Sequence, residues 1–210
     1  MVLPGDRTQL LEVLEEARHL GYLGPGPVED HVRHGYGFIA AAGSDQRGLV
    51  VDLGSGGGVP GLILALAWPE ATVVLLDASE RRTQFLTTAV RRLELGPPRV
   101  GVVRGRAEAV GRQGKWRRAA DLVVARGFGR PALVAECAAP LLREGGRLIV
   151  SEPPEERDGR WPEAGLEPLG LSSTTTVRRH GRWYQILHQA GPCPERFPRR
   201  PGMPGKRPLF

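Results

Sequence analysis

The sequence predicts an α/β fold built on a doubly wound, mostly parallel sheet, with helices before it and an antiparallel hairpin at one edge. Strand-like and helix-like segments alternate over about a hundred residues in the middle of the chain. The strand-like segments are short and almost continuously apolar, which is typical of strands covered by helices on both faces. Two further strand-like segments flank a His180-Gly181 turn, which indicates the hairpin.

The helices are predicted from apolar spacing and from capping residues. Leu10, Leu14 and Ala17 recur at helical spacing in the first of them, and the sequence GYLGPGP ends it. Ser79 is a candidate N-cap for the fourth helix, and Pro131 begins the fifth. The predicted helices cover residues 7–20, 28–42, 60–68, 79–95 and 131–144.

The strands are predicted from short apolar runs between turn signals. The parallel strands are expected at residues 48–53, 71–77, 99–105, 120–127 and 146–152, and the hairpin strands at 172–178 and 182–189. Three parts therefore follow one another along the chain, namely a helical extension (1–45), the α/β domain (46–190) and a C-terminal tail (191–210).

The tail is distinguished by its composition and charge. It holds six of the chain's 19 prolines and a net charge of +4, out of +6 for the whole chain. So many prolines predict an extended segment without helix or strand, either loose or wrapped on the body of the protein. Clustered Arg and Lys are typical of a surface that binds a polyanion, and equally of a solvated chain end.

Composition excludes several classes of protein. The 210 residues are enough for a sizeable core, so neither a disulfide nor a metal is needed for stability. No apolar run reaches the roughly 18 residues of a membrane span, and the acidic, amphipathic N-terminus is unlike a secretory signal. The 2 cysteines form no metal-binding or disulfide pattern. We therefore expect a cytoplasmic, monomeric protein that binds neither metal nor membrane.

The most informative segment is the glycine-rich sequence VVDLGSGGGVPG, which joins the first parallel strand to a helix. Gly54, Gly56 and Gly58 let a ligand approach the backbone at the carboxyl end of that strand. The spacing of Gly56, Gly58 and Gly61 also matches the fingerprint of dinucleotide-binding proteins. Glycine spacing alone therefore leaves two classes of ligand open.

Acidic residues at three successive strand ends favour one of these ligands. Asp52 would repel a pyrophosphate and attract a cation, and Asp77 stands where a carboxylate accepts hydrogen bonds from ribose hydroxyls. Glu108 follows the third strand, where an adenine edge is expected. Alone, Asp77 is also explained as a helix cap and Glu108 as a solvated acid, but together the three favour S-adenosylmethionine, which carries a sulfonium and an ammonium group.

Arg126 follows the fourth strand at the same edge of the sheet. We expect its side chain to face the crevice at the strand ends. There it either takes part in the function of the site or forms a structural ion pair with Asp52 or Glu108.

Four segments in order, DLGSGGGVPG, LLDASERRTQFL, RAEAV and ARGF, resemble the cofactor motifs of the RsmG (GidB) family of ribosomal RNA small-subunit methyltransferases. The Arg33-His34 pair and the tail sequence FPRRPGMPGKRPL are similar to the same family. The resemblance implies the Rossmann-like fold of class I methyltransferases, S-adenosylmethionine as cofactor, and methylation of guanine N7 in 16S ribosomal RNA. It assigns cofactor binding to Gly54, Val59, Asp77, Ala107, Glu108 and Arg126, to which the residue pattern adds Asp52, Gly56 and Gly58.

Ribosomal RNA, or the small ribosomal subunit, is then the expected partner. Guanine N7 carries a free lone pair and no proton, so its attack on a methyl group needs placement and no general base. Arg126 and His34 are accordingly candidates for the reaction centre without an assigned base role. The residues expected to contact RNA are Arg33, His34, Arg199, Arg200, Lys206 and Arg207.

The chain departs from the family pattern at four points, two of which are a short N-terminal helical region and the absence of the family's acid in Gly35-Tyr36-Gly37. Gly127 stands where the family usually has Ala, and Ser151-Glu152-Pro153 stands where it usually has Lys-Gly. Replacing that lysine while adding Glu152 lowers the positive charge beside the crevice, so we expect weaker attraction for RNA there.

Three other functions fit part of the pattern. A methyltransferase for a small molecule would act without RNA, and a nonenzymatic RNA-binding or assembly protein would bind cofactor without turnover. A nicotinamide oxidoreductase would not bind S-adenosylmethionine, and Asp52 argues against it.

Overall fold

A mixed sheet forms the centre of the computed structural model, which describes residues 7–43, 48–154 and 159–210. Over these residues the strands are β1 (Gly48–Leu53), β2 (Ala71–Asp77), β3 (Val100–Arg104), β4 (Ala120–Ala125), β5 (Leu142–Glu152), β6 (Leu171–Arg179) and β7 (Arg182–Gln189). Their spatial order is β3-β2-β1-β4-β5-β7-β6, with β1 to β5 parallel and β7 antiparallel to both of its neighbours. The predicted doubly wound sheet with an antiparallel edge hairpin is confirmed.

The helices of the described residues cover both faces of this sheet. They are α1 (Arg7–His19), α2 (Val28–Ala42), α3 (Gly61–Ala67), α4 (Glu80–Arg92), α5 (Ala107–Val110), α6 (Pro131–Ala138), α7 (Glu163–Leu166) and α8 (Met203–Lys206), with a 3-10 turn at Glu167–Leu169. The hydroxyl of Ser79 accepts a hydrogen bond from the Arg82 N–H, which confirms it as the N-cap of α4. No helix of these residues is long and apolar enough to cross a membrane.

The end of α6 and the start of β5 differ from the prediction. The helix ends at Ala138 and not near residue 144, because Pro140 has no N–H with which to continue it. The Pro140 carbonyl instead accepts a hydrogen bond from the Arg118 N–H at 2.9 Å, beside the start of β4. β5 therefore begins at Leu142 and includes Gly145-Gly146, which the sequence pattern placed at the end of a helix.

The sheet separates two apolar cores. Alternate side chains point to opposite faces, so Val50 belongs to the core beneath α1 to α4, and Val51 to the core beneath α5 to α7. Truncating a fully buried leucine such as Leu122 to alanine costs about 2–5 kcal/mol of folding free energy. Helices α1 and α2 both contribute to the first core. The predicted boundary of the helical extension, at residue 45, lies outside the described residues.

Two glycines of α2 allow this helix to lie very close to its neighbours. A Cβ atom at Gly35 would collide with the side chain of Ile63, and one at Gly37 would collide with the hydroxyl group of Tyr184 in β7. With glycine at position 37, the Tyr184 hydroxyl donates a hydrogen bond of 2.8 Å to the backbone carbonyl of His34. The edge hairpin is thereby joined to α2, which carries residues of the candidate site.

The C-terminal tail (residues 191–210) is wrapped on the body of the protein, which was one of the two alternatives. Cys193 and Phe197 are buried in the second core. The expectation of a tail without helix is wrong, because one helical turn, α8, follows Gly202. Pro204 lies in the first turn, where a helix needs no N–H from it.

Candidate active site

The candidate site lies at the carboxyl ends of the parallel strands, where β1 and β4 are neighbours. The chain leaves these two strands toward opposite halves of the sheet, and such a switch in direction opens a crevice. Two adjoining cavities occupy it, with volumes of about 230 Å³ and about 490 Å³. Gly127 and Phe128, which follow β4, line both cavities and form the wall between them.

The glycine loop after β1 forms one side of the smaller cavity. The N–H groups of Gly54 and Ser55 both donate to the carbonyl of Leu76 at 2.9 Å, which fixes the loop against β2. Gly54 has a φ of 74°, and a Cβ there would lie 2.5 Å from the ring of Phe128. Only glycine therefore fits between the loop and that aromatic ring.

Asp52 is buried beneath the loop and lines neither cavity. Its Oδ2 accepts hydrogen bonds from the Ser55 hydroxyl at 2.6 Å and the Gly61 N–H at 3.0 Å. Burial raises the pKa of Asp52 to about 6, against the lowering effect of these donors and of Arg126. The carboxyl group predicted to attract a cationic ligand thus orders the loop from inside.

Asp77 lies at the wall of the smaller cavity, as expected for a residue at the end of β2. Its Oδ2 accepts from the Gly56 N–H at 3.0 Å, and its Oδ1 accepts from the Ser79 N–H at 2.8 Å. The Arg82 guanidinium lies 3.8 Å from Oδ2. Each carboxylate oxygen keeps acceptor capacity for a further donor, such as a ribose hydroxyl.

Of the other residues predicted to bind cofactor, Ala107 lines the smaller cavity and Arg126 lines the larger one. Gly58 and Val59 support the loop from the core side. A Cβ at Gly58 would contact Leu62, and the Val59 side chain is buried in the first core. The structure therefore brings Gly54, Asp77 and Ala107 together around one cavity, with Asp52, Gly56, Gly58 and Val59 beneath them.

Glu108 faces the tail, although the sequence placed it beside the cofactor. Its Oε1 accepts hydrogen bonds from the Gly202 N–H at 2.8 Å and from Arg106 Nη2 at 3.1 Å, and the residue is 4% exposed. Burial acts to raise the pKa of Glu108, but these hydrogen bonds outweigh it and the pKa is lowered. Glu108 is thus held as a carboxylate between the cavity wall and the tail.

The larger cavity contains a pair of side chains that sequence analysis did not join. Arg126 Nη1 lies 3.0 Å from His31 Nδ1, and since the guanidinium can only donate, His31 Nδ1 accepts. His31 Nε2 then carries the proton and donates to the Gly24 carbonyl at 3.1 Å. Burial, followed by the charge of Arg126, lowers the pKa of His31. The spacing of His31 and His34 on one face of α2 was the signal available in the sequence.

His34 lines the same cavity and is neutral at physiological pH. Burial lowers its pKa to about 3, and the charges of Arg126 and Arg182 act in the same direction. Its ring stacks on Phe38 and meets the Tyr184 ring edge-on, with centroid distances of 5.9 and 5.8 Å. The buried Nε2 has no hydrogen-bond partner in the described structure.

Arg182, at the start of β7, is a further residue of this cavity that sequence analysis missed. It is exposed, and no ion pair of its guanidinium is found among the described residues. Glu152, the acid that departs from the family pattern, lies in the same cavity but forms an ion pair with Arg160 at 2.6 Å and accepts from Trp161 Nε1 at 2.9 Å. The positive charge of Arg126 and Arg182 therefore remains available.

The residues expected to contact RNA fall into two groups. Arg33, Arg200, Lys206 and Arg207 are exposed, and Arg33 forms an ion pair with Asp30 at 2.9 Å. Arg199 instead binds the buried carboxylate of Glu136 in α6, with its Nη2 2.6 Å from Oε2 and its Nε 2.8 Å from Oε1. Its guanidinium faces the body of the protein.

Known proteins resemble this chain in sequence and in fold. The family model described as GidB, rRNA small subunit methyltransferase G, matches residues 34–156. The ribosomal RNA small subunit methyltransferase G of Thermotoga neapolitana is 39% identical over 171 residues, covering 78% of this chain and 72% of that protein. Its namesake from Moorella thermoacetica is 35% identical over 167 residues, covering 76% and 69%.

The crystal structure of a SAM-dependent methyltransferase from Aquifex aeolicus matches with a TM-score of 0.60. The match covers 83% of this chain and 97% of that one at 17% sequence identity, so it bears on the fold alone. It confirms the Rossmann-like methyltransferase architecture predicted from the motifs.

Proposed function

The chain belongs to the family of rRNA small subunit methyltransferase G (GidB), as its motifs predicted, and on this basis we propose that it methylates guanine N7 in 16S ribosomal RNA with S-adenosylmethionine as methyl donor. The observation that carries the proposal is the adjacency of two unlike cavities. The smaller is lined by glycine backbone, the Asp77 carboxylate and Arg82. The larger is lined by Arg126, Arg160 and Arg182, of which Arg160 is paired with Glu152. Such an enzyme would act where ribosomal subunits assemble, in the cytoplasm.

The smaller cavity fits the adenosyl part of the cofactor. The backbone at Gly54 is free of a side chain, and Asp77 presents acceptor oxygens suited to ribose hydroxyls. Gly105 and Ala107, which follow β3, also line this cavity. When bound, the cofactor supplies an electrophilic methyl group, and the protein supplies only binding and orientation.

The larger cavity suits a nucleotide of the RNA. Arg126 and Arg182 place positive charge around it, which favours phosphate and the acceptor atoms on the guanine edge. His31 holds the Arg126 side chain in place through a single acceptor atom. Because guanine N7 has no proton to lose, the neutral imidazoles of His31 and His34 need not act as bases, and placement of the nucleotide is the contribution of the protein.

A methylation assay on ribosomal particles tests the proposal. Small subunits that lack the modification, and the naked RNA extracted from them, are incubated with the protein and radiolabelled S-adenosylmethionine. Digestion to nucleosides is expected to yield labelled 7-methylguanosine. Comparison of the two substrates identifies whether RNA alone or the assembled particle is recognised.

Other outcomes of the same assay identify other functions. Label in a small molecule and none in RNA would indicate a small-molecule methyltransferase. Cofactor binding without label in any RNA would indicate a nonenzymatic assembly protein. Failure to bind S-adenosylmethionine at all would contradict the proposal and favour the alternative of a nicotinamide oxidoreductase.

A further inference from the structure

We propose that the C-terminal tail positions the wall of the cofactor cavity, with Arg199 and Gly202 as positioning residues for cofactor binding. The inference rests on the proposed function in one respect, namely that the smaller cavity binds S-adenosylmethionine. It gives the tail a role that its positive charge does not require.

The first half of the tail is fixed by one arginine of the body. The Arg117 guanidinium donates to the carbonyl oxygens of Cys193 and Pro194 at 3.0 Å, and of Phe197 at 2.8 Å. Its side chain is only 10% exposed. Backbone carbonyls of an irregular segment thus obtain their hydrogen bonds from a buried cation, which fixes this segment on the surface.

The second half is fixed by a buried ion pair. Glu136 is 0% exposed, and both of its carboxylate oxygens accept from the Arg199 guanidinium, while its Oε1 also accepts from the Arg199 backbone N–H at 2.8 Å. The same guanidinium donates to the carbonyl of Arg207 at 2.6 Å, which closes residues 199–207 into a loop. Since a buried carboxylate without its partner is strongly unfavourable, this loop is held in one position.

Through Gly202 the loop contacts Glu108, the residue that follows Ala107 of the cavity wall. With a φ of 84°, a conformation that glycine adopts readily, Gly202 directs its N–H to Glu108 at 2.8 Å. Glu108 follows Ala107, whose side of α5 lines the cavity, and the neighbouring Gly105 N–H donates to the Asp77 carbonyl at 3.0 Å. The contact chain therefore runs from the tail through Glu108 to the residues that flank the cofactor.

Three exposed cations of the tail lie in this same closed loop, and a fourth, Arg196, precedes it. Arg200, Lys206 and Arg207 have exposed side chains, whereas Arg199 faces the body. The tail thus has two separable functions: exposed charges for RNA, and backbone and buried charge for the cavity wall.

Two kinds of full-length variant separate these functions. In the first kind, Arg199→Lys, or Glu136→Gln combined with Arg199→Gln, weakens the anchor and keeps the exposed charges. In the second, Arg200→Ala, Lys206→Ala and Arg207→Ala together remove the exposed charges of the loop and keep the anchor. The dissociation constant of S-adenosylmethionine is measured for each by calorimetry without RNA.

We expect the anchor variants to bind the cofactor about 3- to 10-fold more weakly, the effect of losing one hydrogen-bonded constraint. The exposed-charge variant should keep the wild-type cofactor affinity and lose RNA affinity. Asp121→Asn serves as the control for destabilisation, because Asp121 accepts from the Leu49 N–H and from Arg143 at the amino end of the sheet. It should lower Tm and leave cofactor affinity unchanged.

Wild-type cofactor affinity in the anchor variants would overturn the inference, as would an equal loss in Asp121→Asn. If the double variant does not fold, Arg199→Lys decides the matter, because it keeps a cation beside Glu136. Wild-type protein that binds cofactor and methylates no RNA contradicts the proposed function alone, and the comparison of cofactor affinities still tests the role of the tail.

Discussion

The two cavities of the crevice are built in different ways. The smaller one is formed by backbone and side chains from neighbouring loops, as in the hydrogen bonds that the Gly56 and Ser79 N–H groups donate to Asp77. The larger one joins side chains that are far apart in sequence, as in the contact of Arg126 with His31 and of Tyr184 with the backbone of His34. The first cavity is organised by the Asp77 carboxylate and loops next to it, whereas the second carries an excess of arginine and depends on packing of the whole fold.

The two cavities therefore differ in the source of their ligand affinity. A single carboxylate organises the smaller cavity, so one substitution there should remove most of its affinity. The larger cavity is lined by separate cations, Arg126 after β4 and Arg182 on β7, so each should contribute a part of the affinity. The predictions below test that contrast, in order of the size of effect expected.

The largest effect is expected for Asp77→Ala. Loss of the acceptor for two backbone N–H groups and for the ribose should weaken S-adenosylmethionine binding about 30- to 100-fold, measured by calorimetry. RNA affinity without cofactor should stay at the wild-type level. Asp121→Ala, which removes a carboxylate at the opposite end of the sheet, is the matched control. Unchanged cofactor affinity in Asp77→Ala would show that the smaller cavity is not the cofactor site.

A smaller loss is expected for Arg126→Met, in the rate of methyl transfer. Arg126 was grouped with the cofactor by resemblance, yet it lines the larger cavity and contacts His31. We expect kcat/KM for RNA to fall about 10- to 100-fold, while cofactor affinity changes less than about 3-fold. Arg126→Lys should recover part of the rate through its charge. A loss confined to cofactor affinity would show that Arg126 contributes to cofactor binding and not to RNA placement.

Arg182→Ala should weaken RNA binding about 3- to 10-fold, because one cation of the larger cavity is lost. The slope of log affinity against log salt should become shallower by about 0.7–0.9, as for one phosphate contact. Arg104→Ala removes an exposed arginine at the other edge of the sheet, where it pairs with Glu80, and should leave the slope unchanged. Equal slopes for wild type and Arg182→Ala would remove Arg182 from the RNA surface.

The smallest effect is expected in the dependence of stability on pH, because the contributions of His34 and Asp52 have opposite signs. His34 has a pKa of about 3 in the fold and 6.5 as a free group. The unfolded chain therefore binds a proton that the folded one does not, and the free energy of unfolding decreases as pH falls from 6.5 toward 3. Asp52 has a pKa of about 6 in the fold and 3.8 as a free group. The folded chain therefore binds the proton more tightly, and the free energy of unfolding decreases as pH rises from 3.8 through 6. Below pH 6.5, His34→Gln should make the fall in Tm shallower, and Asp52→Asn should make it steeper.

Sequence analysis predicted the sheet, the hairpin and the glycine loop because each is specified by residues adjacent in the chain. It placed Asp77 at the cavity for the same reason. It missed the His31–Arg126 contact and the position of Arg182, which depend on how α2, β4 and β7 meet. The sequence signals only that His31 and His34 share one face of α2, and no local pattern specifies which strands pack against that face.

The tail shows the same limit from another side. Charge alone grouped Arg199 with the exposed cations, although it binds Glu136. A signal was present, since Glu136 interrupts the apolar sequence LVAECAAPLL, and a buried acid requires a basic partner. Which arginine supplies that partner is decided only by the fold.

The contact of Gly37 with Tyr184 has a consequence for how such a protein can change over generations. A side chain at position 37 would collide with the Tyr184 hydroxyl, so it becomes tolerable only after position 184 has received a smaller residue. Replacing Tyr184 by Phe, and then by a smaller residue, opens that space and removes the hydrogen bond to the His34 carbonyl. The two positions, 147 residues apart, are therefore expected to drift as a pair, and Gly37→Ala should be rescued by Tyr184→Ala more than by any change elsewhere in α2.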